Sequence, residues 1–189
     1  MKKAAISLMM FLCTACSWYS PSSKFYVMES ENLEAVSTQK KSISVAKVNV
    51  PDLLNRQQIV VYDKKSNEVQ ILEFERWAEF FPDMVQATVV NDLMAYLPNS
   101  YVTRTYFGTK NSDFNVNIEI NDIKAYVGDK VVLSAWWNIY DSKGNLRTKE
   151  QKIYESAVLG KKMQNLVDAQ ADAVHKLSAD IAEKIGNIK

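Results

Sequence analysis

Cysteine and histidine are almost missing from this chain. Its 189 residues hold two cysteines, Cys13 and Cys16, both near the N-terminus, and one histidine, His175. An ordinary zinc site needs three or four such ligands converging, and Ser-His-Asp or Cys-His catalysis needs a histidine beside its nucleophile. The inventory leaves both short of parts. Glycine (5) and proline (4) are scarce as well, which argues against disorder and repeat arrays. The glycines are scattered, with Gly108, Gly128 and Gly144 at turn-like positions, so there is no Gly-rich phosphate loop and ATP binding by this chain is not expected. Charge of one sign is lacking too: 23 Lys and Arg stand against 22 Asp and Glu, a net +1. No broad field therefore draws in nucleic acid or an anionic bilayer. Carboxylates are plentiful, but Glu73, Glu75 and Glu79 sit with Arg76 in a mixed-charge stretch, read as a solvated face rather than a two-carboxylate active site. With 47% hydrophobic residues, the chain suffices for one well-packed domain and is short for two.

What is present at the N-terminus is specific. Lys2 and Lys3 precede an apolar run from Ala4 to Leu12, followed by the small residues Thr14 and Ala15 and then Cys16. That is the layout of a secretory signal peptide. The apolar run is about half of the roughly 20 residues a transmembrane helix requires. Cys13-Thr14-Ala15-Cys16 resembles a bacterial lipobox, although the box usually opens with Leu and here Leu12 is displaced by one position. The resemblance implies cleavage between Ala15 and Cys16, diacylation of the Cys16 sulfur, and usually acylation of its new amine. Two or three acyl chains, at roughly 0.8 kcal/mol per buried methylene, make a permanent anchor where one would be marginal. Cys13 leaves with the signal and Cys16 is consumed by lipid, so the mature domain is expected to lack a free thiol. Ser17 stands where an Asp commonly signals inner-membrane retention in enteric-type bacteria, which implies the outer membrane, facing the periplasm. The expected organisation is a signal peptide at 1–15, the lipidated cysteine and a serine-rich tether with Pro21 at 16–23, and one domain at 24–189.

Hydrophobic periodicity orders the rest. Lys24 to Met28 reads as a first strand and Ser42 to Val50 as a second, ending at Pro51. Gln58–Tyr62 and Glu68–Leu72 flank a polar turn as a hairpin. From Phe81 to Leu97 the apolar spacing changes to three and four, with Pro82 in the first turn and Pro98 beyond the end, which predicts a helix. A strand over 101–105 follows. Phe114, Val116, Ile118 and Ile120 alternate against polar neighbours, and Val131, Leu133, Ala135, Trp137 and Ile139 share one face of the next strand. Asp141-Ser142-Lys143-Gly144 turns the chain into a strand over 147–158, completing an antiparallel meander. A long amphipathic helix over 161–185 closes the chain. Consecutive Trp136 and Trp137 must face opposite ways. Trp137 joins the apolar face. Trp136, with Tyr140, lies on a face read as covered by one of the two helices, the alternative being a partner surface. His175 is read as a satisfied surface histidine.

Two stretches then carry a family resemblance: Val50-Pro51-Asp52-Leu53-Leu54-Asn55-Arg56-Gln57-Gln58-Ile59-Val60 and Phe74-Glu75-Arg76-Trp77-Ala78-Glu79. With the lipobox and the order of elements, they resemble the signatures of the PqiC-like ABC-type transport auxiliary lipoproteins. The chain departs in showing Phe80-Phe81-Pro82 where that family often has Pro-Leu after the Trp-Ala stretch. The resemblance implies a single α/β (α+β-like) domain with a mixed, largely antiparallel sheet packed by two main helices, similar to the TolB N-terminal domain. It implies a non-catalytic accessory lipoprotein without cofactor or metal. The implied partners are ABC transporter subunits and a mammalian-cell-entry domain protein of an envelope lipid-transport system, with a homo-oligomer such as a ring left open. Pro51, Arg56, Arg76 and Trp77 are the signature residues, read as serving the fold. The alternative is a lipoprotein that itself binds a lipid or peptidoglycan.

Overall fold

A computed structural model of the protein describes residues 21–29, 33–66, 68–105 and 112–188. The signal peptide, Cys13, the Ala15–Cys16 cleavage site, most of the tether and Gly108 lie outside the described residues. The elements run β1 (Lys24–Tyr26), β2 (Ser42–Ala46), β3 (Gln58–Tyr62), β4 (Val69–Trp77), α1 (Phe81–Tyr96), β5 (Tyr101–Thr105), β6 (Phe114–Ala125), β7 (Lys130–Asp141), β8 (Leu146–Ala157) and α2 (Met163–Asn187). The class is α/β, with mixed sheets and two helices. The strands divide into a five-stranded sheet, β5-β2-β6-β7-β8, and a three-stranded one, β1-β4-β3. β2 runs parallel to both β5 and β6, and β1 parallel to β4, whereas the β3–β4 hairpin and the β6–β7–β8 meander are antiparallel.

The meander forms because its strands alternate. Val131, Leu133, Ala135, Trp137 and Ile139 of β7 are each 0% exposed, and Val116, Ile118 and Ile120 of β6 lie beside them in the core. The alternation in β6 breaks after Asn121. A register shift between Ile120 and Asp122 absorbs one residue there, which returns Ile123 and Ala125 to the core face and carries the strand to Ala125. At the β7–β8 turn the Asp141 carboxylate accepts from the amides of Lys143 and Asn145, both at 2.9 Å. Gly144 takes φ +83° there, a conformation that glycine adopts without steric cost.

α1 starts at Phe81 with Pro82 in its first turn, where a missing N–H costs nothing. α2 buries Ala169, Ala171, Ala173 and Ala182 among Leu166, Val174, Leu177 and Ile181, and the small residues let it lie close against α1 and β6–β8. Both helices therefore occupy the same face of the five-stranded sheet. This corrects the expectation for the Trp136 face: Val132, Ser134, Trp136, Asn138 and Tyr140 are only partly buried, and the outward residues of β8 are exposed. The physical reason is that two helices with apolar sides bury more surface packed together on one face than split across two. No helix among the described residues is long and apolar enough to cross a membrane.

Candidate functional site

The two signature stretches meet at the start of α1. The chain turns after Pro51, whose carbonyl accepts from the Leu54 amide at 2.8 Å. Two later carbonyls reach across the fold: that of Arg56 accepts from the Phe81 amide at 3.1 Å and that of Gln57 from the Trp77 amide at 2.7 Å. Trp77 is 2% exposed, its ring 6.0 Å from that of Phe81. The Arg56 guanidinium reaches back 3.5 Å to the Asp52 carbonyl. The adjacent interior pocket, lined by Leu54, Gln58, Val60, Trp77, Phe81, Ile123 and Gln170, holds about 10 Å³, room for a single water. Arg56 and Trp77 thus close the junction of β3, β4 and α1. Arg76 does something separate. β3 pairs Gln58 with Arg76 and then Ile59 with Leu72, so residues 73–75 bulge out of β4. Arg76 staples that bulge, its Nε donating to the Glu73 carbonyl at 2.7 Å and its Nη2 engaging the Glu73 carboxylate.

Sequence reasoning placed His175 on the surface; the structure does not. Its side chain is 15% exposed, and Nδ1 lies 2.8 Å from Oδ2 of Asp92, which is 0% exposed. Nε2 lies 2.9 Å from the Glu29 carbonyl. With oxygen partners at both nitrogens, the site favours the doubly protonated ring, which can donate to each. Burial pulls its pKa down, but the Asp92 hydrogen bond and charge, with the Glu29 carbonyl and Asp172, outweigh it and hold it above its ordinary value. The ring ties α1, α2 and the segment after β1 together. Nothing in the α2 sequence signals this, because Asp92 is 83 residues away.

Other titratable groups are also engaged individually. Tyr154, pushed up chiefly by burial, accepts from the Trp137 indole at 3.1 Å and donates to Asp180 at 3.0 Å. Asp122 accepts from Tyr62 at 3.1 Å, whose hydroxyl is pushed up to about 12 by burial and by that carboxylate. Glu75 is held low by the Tyr26 hydroxyl, against an opposing effect of burial, with Lys24 at 3.0 Å in support. Among the described residues no three His, Cys, Asp or Glu side chains converge as a metal-ion site.

What the domain does present is surface. On the open face of the five-stranded sheet, the Lys149 ammonium sits 4.9 Å from the centre of the Trp136 ring, and Ile153, opposite Ser134, is 66% exposed. Tyr140 lies further along the same row. A second surface was missed by sequence reasoning: β4 leaves Val69, Ile71 and Phe74 exposed by 40%, 43% and 41%, and neighbouring β1 leaves Phe25 exposed by 60%. The sequence pattern indicates the hairpin without marking these side chains as surface. Between β1 and α2 lies a groove of about 460 Å³ lined by Phe25, Val27, Val167, Ala171, Asp172 and His175 among others.

The sequence matches the family model described as ABC-type transport auxiliary lipoprotein component over residues 26–182. Among solved structures, the fold is similar to that of an uncharacterized protein, with 21% identity and a TM-score of 0.72 over 87% of this chain and 99% of the other. It is also similar to a Xanthomonas campestris protein of the DUF330 family, with 13% identity and a TM-score of 0.70 over 86% of this chain and 96% of the other. No curated protein matches the sequence significantly.

Proposed function

The chain belongs to the family of ABC-type transport auxiliary lipoprotein components, and from that premise we propose that it is a non-catalytic subunit, lipid-anchored through Cys16, of an envelope lipid-transport machine. In this reading the signal peptide is removed between Ala15 and Cys16, and residues 16–23 tether the domain to the outer membrane on its periplasmic side. The partners are ABC transporter subunits and a mammalian-cell-entry domain protein of the same system. The observation that carries the reading is the family match across nearly the whole domain, reinforced by a lipobox-like sequence at the expected distance upstream. The engaged state of the carboxylates, tyrosines and histidine fits a role in assembly rather than chemistry. The pocket beside Trp77 holds about 10 Å³, too little for a lipid chain, so a bound lipid would have to use a surface groove such as that of about 460 Å³ between β1 and α2. The open face around Trp136 and Tyr140 is the surface we assign to protein partners, since aromatic anchors backed by a cation are characteristic of interface centres.

Two measurements test the proposal. Intact-mass analysis of protein from separated inner and outer membranes is expected to give a chain starting at Cys16 with two or three acyl chains, in the outer fraction. Affinity capture from detergent-solubilised envelopes is expected to recover the ABC and mammalian-cell-entry subunits, and to lose them with Trp136→Ala/Tyr140→Ala. Recovery of the lipoprotein alone from wild type overturns the assignment.

A further inference from the structure

Among the described residues, no strand covers most of one edge of β4. Its inner side pairs with β3 along Val69–Leu72. Its outer side pairs with β1 only at Glu75, Arg76 and Trp77, so from Val69 to Phe74 the outer edge is unpaired among the described residues. Open edges with apolar side chains are an aggregation hazard that proteins usually blunt with charge or cover. Here Val69, Ile71 and Phe74 stand exposed at the edge, with Phe25 beside Arg76 in β1. Within the strand Glu73 is paired with Arg76 and Glu75 with Lys24, while Glu68, just before Val69, is exposed. From Val69 to Phe74 the edge thus carries little uncompensated negative charge.

The direction of the chain says what covers it. β1 is parallel to β4, with Lys24 beside Glu75 and Tyr26 beside Trp77, so residues 21–23 lead into Lys24 from the Val69 end of that same edge. Cys16 lies eight residues before Lys24, which at about 3.5 Å per residue limits the separation to roughly 28 Å. Resting on the proposed acylation of Cys16, we infer that the open edge of β4, with Val69, Ile71, Phe74 and Phe25, is seated on the bilayer surface that holds the acyl chains. The anchor leaves the association already bimolecular only in name, and a few apolar side chains at the headgroup level then suffice to fix orientation. Seating at that level keeps the free backbone groups of the edge in contact with headgroups and water, which the hydrocarbon core would forbid.

The mature chain has no thiol besides the acylated one, so a single introduced cysteine gives a unique label site. The experiment uses the acylated protein isolated from membranes, reconstituted into phosphatidylethanolamine/phosphatidylglycerol vesicles, with Ile71→Cys, Phe74→Cys or Ile153→Cys carrying a nitroxide. All three positions are exposed, and circular dichroism confirms folding. On vesicles, collisions of the label with a water-soluble nickel chelate are expected to fall severalfold at 71 and 74, with oxygen collisions retained, and to stay unchanged at 153. Acyl chains present in the mass spectrum with no change at 71 and 74 overturn the seating and leave the anchor standing. Protection at 71 and 74 from both probes, in detergent micelles as on vesicles, assigns the edge to a second copy or to the tether and also overturns it. Absence of acyl chains overturns the anchor and the seating together.

Discussion

β7 and β4 are both long, apolar-rich strands, and they meet opposite fates. The inward residues of β7, from Val131 to Ile139, are fully buried under α2, and the polar groups of Trp137 and Tyr154 that come in with them, the indole and the hydroxyl, are hydrogen-bonded to each other. β4 is buried at one end only, at Trp77, and leaves Val69, Ile71 and Phe74 in solvent. The difference lies in what stands behind each strand. A twelve-residue strand between two partners and beneath a helix has every neighbour it needs. A strand in a three-stranded sheet, whose outer partner is three residues long, does not. Folding is secured by the first arrangement, and the second leaves apolar surface that the fold does not require.

The sharpest test of this contrast sets Trp137 against its neighbour. Trp137→Ala is expected to cost about 3–5 kcal/mol through lost burial and a residual cavity, whereas Trp136→Ala, at a partly buried position, loses the cation–π contact with Lys149 and part of its packing, about 1–2 kcal/mol. Urea unfolding of the two variants checks this, and equal losses would show that the open face is structural after all.

His175 probes whether the segment after β1 is held by the helix layer. His175→Leu removes the hydrogen bond between His175 and buried Asp92 and that to the Glu29 carbonyl, at a cost of about 1–3 kcal/mol. The folded-state pKa of His175 lies above the ordinary 6.5. Its ionised form therefore contributes fully below pH 6.5 and progressively less as pH rises through the folded value. The wild type should lose stability towards alkaline pH, and thermal melts of His175→Leu should lack that decline. A parallel decline in both proteins would place the titrating group elsewhere.

Smaller effects are expected along β4. Arg76→Ala removes the staple on the 73–75 bulge and an ion pair with one well-exposed partner, worth up to about 1 kcal/mol; amide exchange should quicken around Glu73 and Glu75 and not in β7. Ile71→Thr should change stability by no more than about 0.5 kcal/mol, since the fold does not use that side chain. A loss comparable to that of Trp137→Ala would contradict the division between the two strands.

Much of this was legible in the sequence. The β6–β8 meander, the β3–β4 hairpin and both helices follow from spacing alone, because a side chain's face is fixed by a period of 2 in strands and 3.6 in helices. The continuation of β6 to Ala125 was hidden by a bulge, which breaks the period without ending the strand. The signature residues were legible as a pair, but their meeting through the carbonyls of Arg56 and Gln57 was not. Backbone hydrogen bonds leave no trace in residue type.

The sequence by itself therefore determined the elements, which side of each strand is apolar, the scarcity of catalytic groups and a lipobox-like N-terminus. Each of these depends on residue identity and local spacing. Only the tertiary structure decided that both helices share one face, that Trp136 is left open, that His175 is clamped between Asp92 and Glu29, and that β4 keeps a bare edge. Those outcomes turn on which elements become neighbours, and that is settled by the sum of burial over the whole chain.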